Sequence, residues 1–349
     1  MSSPRLILGV ESSCDETAAA VVADGREVRS SVVASQIELH ARYGGVVPEI
    51  ASRAHIEAID TVIERALAQA GARPDDLAAV AVTDEPGLIG SLLVGLMAAK
   101  ALAWAWSKPL IGVNHVYAHA YSPALDAEPI DYPAVALVCS GGHTALYRCD
   151  SPTEIQLLGS TIDDAAGEAF DKVASLLELG YPGGPAIDRA AREGDPAAVD
   201  FPRTLLKGQL LDFSFSGLKT AVLYHVRGVP GGRRPGGDPP QRGPLTPAEV
   251  ADVAASFQAA VVDVLRIKLR RAVRQSGART IVIGGGVSAN SALRAAARTL
   301  AEKLGCELRL PELAYCVDNA AMIAGLADHH LRAGRTDGLD LAAHPTVRR

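Results

Sequence analysis

An α/β architecture built twice on one plan follows from three features of the 349-residue chain. Short runs of buried-strand composition alternate with helical patterns, which points to mixed sheets covered by helices. The opening order of strand, small-residue turn, strand, turn, strand at 6–33 recurs at 134–158, which reads as a structural duplication. Hydrophobic residues make up 48% of the chain and aromatic ones 4%, a balance that suits Ala-, Val- and Leu-rich helices packed on buried strands.

In chain order, 6–10 is a buried strand, 11–17 a turn of small and polar residues, 18–22 a second strand and 27–33 a third, with Asp24-Gly25 as the hairpin signal between them. Gly44-Gly45 breaks the chain before a helix at 48–70. A strand at 78–83 ends in Asp84-Glu85-Pro86-Gly87, and a nearly all-apolar helix, expected to be buried, spans 88–106. The run 109–114 is a short strand that feeds a helix carrying His115 and His119, and the polar, Pro-bearing stretch 126–133 marks a domain boundary.

The second half opens with strands at 134–138, 144–147 and 154–158 around a Cys139-Ser-Gly-Gly-His143 turn. A helix at 163–179 places Asp164, Glu168 and Asp171 on one face, and a rigid turn at 180–185 sets Asp188 one turn into the next helix. The Gly-, Pro- and Arg-rich stretch 228–244 reads as a flexible loop. Thr246-Pro-Ala-Glu249 is a capping signature for a helix to about 275, with Arg266, Lys268, Arg270, Arg271 and Arg274 as a basic stripe that could meet phosphates. A strand at 280–283, glycines 284–286 and a helix at 291–304 follow, then a strand at 307–310 and a helix starting at 317–320. After Asp337 the tail looks weakly structured.

The five cysteines are an odd number without a C-x-x-C pair, as expected of reduced thiols in the cytosol, and no apolar run is long enough for a membrane span. A net charge of −6 is unlike a nucleic-acid binder working alone, so a polyanionic partner would need a local patch or other subunits.

The two histidines lie four residues apart, one helical turn, which lets both rings reach one metal ion. The alternative is a pair of satisfied histidines on a half-exposed helix. A third ligand is needed; Asp318 at a helix start is the candidate, against an ordinary N-cap role. A metalloprotease motif requires Glu directly after the first histidine, and here that residue is Val116. Three small-residue turns follow buried strands, at 11–17, 139–143 and 284–290, an arrangement in which backbone amides can approach a phosphate or purine. Neither a P-loop nor a dinucleotide glycine motif is present.

Nine ordered segments carry a resemblance: GVESSCDETAAAVV (9–22), GGVVPEIASRAHIE (44–57), VNHVYAH (113–119), VCSGGHTALY (138–147), IDDAAGEAFDKVA (162–174), YPGGPAID (181–188), FSFSGLKTA (213–221), IGGGVSANSALR (283–294) and CVDNAAMIA (316–324). Together they resemble the bacterial tRNA N6-adenosine threonylcarbamoyltransferase family (TsaD), formerly labelled O-sialoglycoprotein endopeptidase, over residues 6–330. The resemblance implies the two-lobed actin/Hsp70/sugar-kinase (ASKHA) fold, with lobes at 1–133 and 134–349 around a nucleotide cleft and the C-terminal helix packed back on the first lobe. It implies transfer of a threonylcarbamoyl group from threonylcarbamoyl-AMP to N6 of adenosine 37 in tRNAs reading ANN codons, with release of AMP. It also implies a divalent metal, Fe2+ or else Zn2+, on His115, His119 and Asp318. Val138, Cys139, Ser140, Gly141, Gly142, Asp171, Gly184, Asp188 and Asn290 would hold the adenylate, and TsaB and TsaE would be partner subunits in a cytoplasmic enzyme. A sugar-kinase-like phosphotransferase is the alternative on the same fold, but it leaves the histidine pair unexplained. One departure bears on the cleft: the family usually has Gly-Pro-Gly where this chain has Glu85-Pro86-Gly87.

Overall fold

The computed structural model describes residues 4–228 and 244–347, so most of the loop expected at 228–244 lies outside the described residues. The first sheet holds β1 (Leu6–Glu11), β2 (Glu16–Ala23), β3 (Glu27–Ser35), β4 (Leu77–Glu85) and β5 (Leu110–Asn114) in the order β3-β2-β1-β4-β5. The second holds β6 (Ala134–Cys139), β7 (Thr144–Cys149), β8 (Ile155–Ser160), β9 (Thr280–Gly284) and β10 (Glu307–Arg309) in the order β10-β9-β6-β7-β8. Read from the opposite edge, the second order is the first with every strand number raised by five. The orientations match too: three antiparallel strands, then two parallel additions. The duplication legible in the strand–turn–strand openings is therefore a repeat of sheet topology.

Chain punctuation sets the helices. α1 (Ile37–Ala41) is one short turn; α2 (Pro48–Ala70) starts on a proline and stops at Gly71, whose φ of 61° only glycine adopts freely. α3 (Ile89–Ala105) and α4 (His115–Tyr121) complete the first half. In the second, α5 (Ala166–Leu176), α6 (Gly183–Ala190) and α7 (Ser216–Arg227) precede α8 (Pro247–Ser276), which carries the Thr246–Glu249 capping box and ends at Gly277. α9 is Ser291–Leu304 and α10 Ala320–Arg332.

Among the described residues, three contiguous apolar cores hold these layers. One fills the second half around Phe170, Phe213, Phe215 and Phe257; one lies between the first sheet and α2 and α3. The third joins the halves: α10 packs on β1, β2, β4 and β5, and on α4. Each fully buried Val, Leu or Ile here contributes roughly 1.5–3 kcal/mol of transfer free energy. Gly9 makes the junction possible, because a Cβ there would overlap the Ala320 carbonyl and the Ala324 amide.

Three expectations change. The helix at 88–106 is not buried all round: Ile89, Leu93, Met97 and Trp104, spaced by four, four and seven residues, lie exposed on one face of α3. The basic stripe of α8 is largely committed to structure. Lys268 is fully buried and donates to the Leu205 and Leu210 carbonyls at 2.6 and 2.8 Å, Arg271 donates to Leu206 O at 2.6 Å, and Arg266 pairs with Asp263 at 3.1 Å. Lys268 and Arg271 tie the irregular segment before α7 to α8. The tail after Asp337 is irregular yet anchored: Asp337 bonds both Leu110 O and Gly112 N, Lys100 Nζ reaches Leu341 O, and His344 N donates to Asp84 O. Asp163 holds the start of α7: its carboxylate accepts from the Ser214 and Ser216 hydroxyls at 2.6 and 2.7 Å and from the Phe215 and Ser216 amides at 2.8 and 3.3 Å.

Burial is the largest single influence on Asp163 and opposes its charge, but these bonds together override it, so its carboxyl titrates below the usual range. Asp163→Ala should cost about 1–2 kcal/mol of stability at neutral pH. Because the folded-state value is depressed, that contribution is present above the unfolded carboxylate value and fades below about pH 4. Urea midpoints of both proteins across pH check it; a difference that persists unchanged in acid would contradict it.

Candidate metal centre and cleft

The end of β5 and the start of α4 build the centre. Asn114 is the N-cap of α4, its Oδ1 accepting from the Val116 and Tyr117 amides at 2.9 and 3.1 Å. His115 and His119 are then the first and fifth residues of the helix, and their rings meet edge-to-face with centroids 4.6 Å apart. Asp318 enters from the other half of the chain. Asn319, not Asp318, caps α10, accepting from Met322 N at 3.0 Å. The Asp318 carboxylate is thereby spared for His119 Nε2 at 3.0 Å and His115 Nε2 at 3.4 Å. The ordinary N-cap alternative raised for Asp318 is thus taken by its neighbour. One donor atom from each of the three lies within 4.8 Å of the other two.

Glu11 belongs to the centre too, although nothing in the sequence singles it out. At the end of β1 it is fully buried, and its Oε2 meets His115 Nδ1 at 2.8 Å while accepting from Thr83 Oγ1 at 2.7 Å; Oε1 accepts from Ser13 N at 2.5 Å. The side of the ring away from Asp318 is thus held by a carboxylate, as metal-ligating histidines usually are. No local signal marks this role, since 104 residues separate the partners.

Electrostatics support a cation here. Burial disfavours a charged His115 ring, yet Asp318 and Glu11 together hold its pKa well above the ordinary histidine range; burial keeps that of His119 low. Burial also opposes the charges of Glu11 and Asp318, but His115 overrides it and lowers both. Buried Glu11 and half-buried Asp318 thus flank the His115 ring with negative charge, which a divalent ion would balance. Among the described residues His119 Nδ1 is buried without a partner, so no competing bond there turns Nε2 away from Asp318. Two imidazole nitrogens and one carboxylate, leaving further positions open, suit Fe2+ or a catalytic Zn2+. The residues fit such an ion.

α4 packs on β6, which ends at the 139–143 turn, and burial, then the nearby His115 and His119, pushes His143 down to about 4, leaving a neutral imidazole there. A Cβ at Gly284 would collide with the His119 carbonyl, so the end of β9 presses directly on α4. Gly284→Ala should shift α4, cost roughly 1–3 kcal/mol and weaken metal uptake. Thermal melts with metal analysis read both, and an unchanged protein would contradict that packing.

The other residues implied for the adenylate fall in two groups. Val138 and Cys139 are wholly buried, leaving only backbone to offer; Ser140 is 8% exposed, and Gly141 and Gly142 lie open at the turn. Across from them, Asp188 Oδ1 accepts from Ser291 Oγ at 2.7 Å and Asn290 Nδ2 at 3.3 Å, joining α6 to the start of α9. Asp171 accepts from Gly183 N at 2.7 Å, leaving the Gly184 amide next in line at the head of α6. The structure does not keep the expected acidic face together: Asp164 and Glu168 pair with Lys172, while Asp171 serves α6. In the first half, Glu16 is pushed up to about 10 by burial and by Asp318 and Asp15, so it is protonated at neutral pH.

The family model described as TsaD, tRNA N6-adenosine threonylcarbamoyltransferase, matches residues 27–325. The chain belongs to this family. It is 54% identical to the tRNA N6-adenosine threonylcarbamoyltransferase of Geobacter sp. (strain M21), covering 97% of this chain and 95% of the relative. It is 53% identical to that of Symbiobacterium thermophilum, covering 98% and 96%. Among solved structures it resembles component A of the Acidaminococcus fermentans (R)-2-hydroxyglutaryl-CoA dehydratase, with a TM-score of 0.51, 16% identity, and coverage of 96% of this chain and 100% of that one. Full-length HypF in its phosphate- and nucleotide-bound form aligns with a TM-score of 0.60 at 15% identity, covering 94% of this chain and 46% of that one. These likenesses establish the ASKHA fold. As a member of the TsaD family the chain is an acyltransferase that places a threonylcarbamoyl group on N6 of adenosine in tRNA. Among the described residues, no helix is long and apolar enough to cross a membrane.

Proposed function

We propose that the donor is threonylcarbamoyl-AMP, bound between the two halves, and that the acceptor is adenosine 37 of tRNAs reading ANN codons. The observation that carries this reading is the convergence of His115, His119 and Asp318 beside the 139–143 turn, where a nucleotide and a metal can share one cleft. The adenosine N6 attacks the carbamoyl carbon, the bond to the phosphate oxygen breaks, and AMP and one proton leave. Such an acyl-type transfer needs no protein nucleophile.

Within this reading His115, His119 and Asp318 hold one divalent ion per chain, Fe2+ in preference to Zn2+. When bound, the metal supplies Lewis-acid polarisation of a phosphate or carbonyl oxygen. Amides at Gly141, Gly142 and Gly184 face the anion, because glycine lets the backbone approach closely. Asp188 and Asn290, already joined to each other, orient the nucleoside. His143, neutral at working pH, adds no competing positive charge. Glu11 keeps the His115 ring turned toward Asp318. TsaB and TsaE as partner subunits and a cytoplasmic setting belong to the same proposal; the bare apolar face of α3 is a surface that a protein partner would cover.

Incubation with these partners, tRNA, threonine, bicarbonate and ATP, followed by nucleoside analysis of the tRNA, tests the proposal. N6-threonylcarbamoyladenosine at position 37 is the expected product. Its absence, with partners shown to be active, would overturn the reading.

A further inference from the structure

Glu85 stands at a bulge: the β4–β5 register shifts between Thr83 and Glu85, and the shift sets Glu85 directly opposite Asn114. Its Oε1 accepts a hydrogen bond from Asn114 Nδ2 at 3.0 Å. Both residues are sheltered, at 8% and 9% exposure, so the bond is charge-assisted and shielded from water.

We propose that Glu85 is a positioning residue for the metal-binding helix, acting through the Asn114 side chain. An asparagine amide has two nearly isosteric ends, and only its oxygen can cap a helix. A carboxylate only accepts, so Glu85 fixes Nδ2 toward itself and leaves Oδ1 for the Val116 and Tyr117 amides. α4 has seven residues, too few to hold a helix unaided, and its first and fifth are His115 and His119. The turn carrying Glu85 is itself fastened on both sides. The tail bonds Asp84 O through His344 N at 2.8 Å, and Leu88 N donates to Ser13 O at 2.8 Å. Glu85 is therefore a fixed reference from which the cap, the helix and the two imidazoles take their places.

The proposal rests on the metal-centre reading, and its test separates the two. Metal-stripped protein is titrated with Co2+ and followed by visible absorption, with wild type, Glu85→Ala, Glu85→Gln, Asn114→Ser and the Glu85→Ala/Asn114→Ser double variant in parallel. Glu85→Ala should weaken Co2+ binding by about 10-fold and alter the ligand-field bands. Glu85→Gln should stay within about threefold of wild type, because its amide oxygen still accepts. Asn114→Ser caps without an amide to orient, so adding Glu85→Ala to it should change affinity little further. Wild-type affinity and spectrum in Glu85→Ala, or a fully additive loss in the double variant, would overturn the proposal. Should Glu85→Ala not fold, Glu85→Asp, which keeps the charge but withdraws it by one methylene, makes the same comparison. Failure of the wild-type protein to take up Co2+ would instead overturn the metal-centre reading.

Discussion

Replacing His115 by alanine is expected to abolish bound metal and tRNA modification together. The ring spans two carboxylates, buried Glu11 at 2.8 Å and half-buried Asp318 at 3.4 Å, so its removal deletes one donor and leaves the two carboxylates without their bridge. Loss of metal polarisation worth several kcal/mol corresponds to at least about a 10³-fold fall in transfer rate. Metal per chain and modified adenosine per tRNA should fall in step. A variant that keeps full activity without metal would remove the mechanism, and one that keeps its metal would show that His115 is not a ligand.

The second large effect is expected at a residue that would touch no metal. Glu11→Ala leaves His115 Nδ1, Thr83 Oγ1 and Ser13 N without their shared acceptor in a fully buried setting. Metal affinity should fall by about 10–100-fold, as for other carboxylates that orient a ligating histidine. Lost buried hydrogen bonds add roughly 1–3 kcal/mol of destabilisation. Glu11→Gln separates the effects: its oxygen can still accept, so folding should largely recover while metal affinity stays reduced for want of charge. Equilibrium dialysis beside thermal melts distinguishes them, and wild-type metal affinity in both variants would show that Glu11 serves the fold alone.

Much of the molecule is legible in its punctuation. Pro48 and Gly71 bound α2, and Thr246, Glu249 and Gly277 bound α8, because a proline start, a capping box and a left-handed glycine each solve a local problem at a helix end. The i,i+4 spacing of His115 and His119 likewise fixes their shared face within one element. What escapes is set by distance or by competition among neighbours. Glu11 meets His115 only because β1 and β5 both flank β4, a fact of sheet order and not of spacing. Asp318 and Asn319 are both good caps, and the choice between them depends on where α10 meets the first sheet. The stripe on α8 looks like a phosphate-binding face until the carbonyls of Leu205, Leu206 and Leu210 claim Lys268 and Arg271. The exposed face of α3 could not be foreseen from a helix apolar on every side.

The central claim is that threonylcarbamoyl transfer depends on one metal ion held across the two halves. A single-turnover assay tests it most directly: metal-stripped protein is given threonylcarbamoyl-AMP, unmodified tRNA and the partner subunits, with and without one equivalent of Fe2+ under anaerobic conditions. The account predicts no transfer without metal, and equal yields of AMP and modified adenosine once it is restored. Undiminished transfer by the stripped protein, with metal confirmed absent, would contradict it.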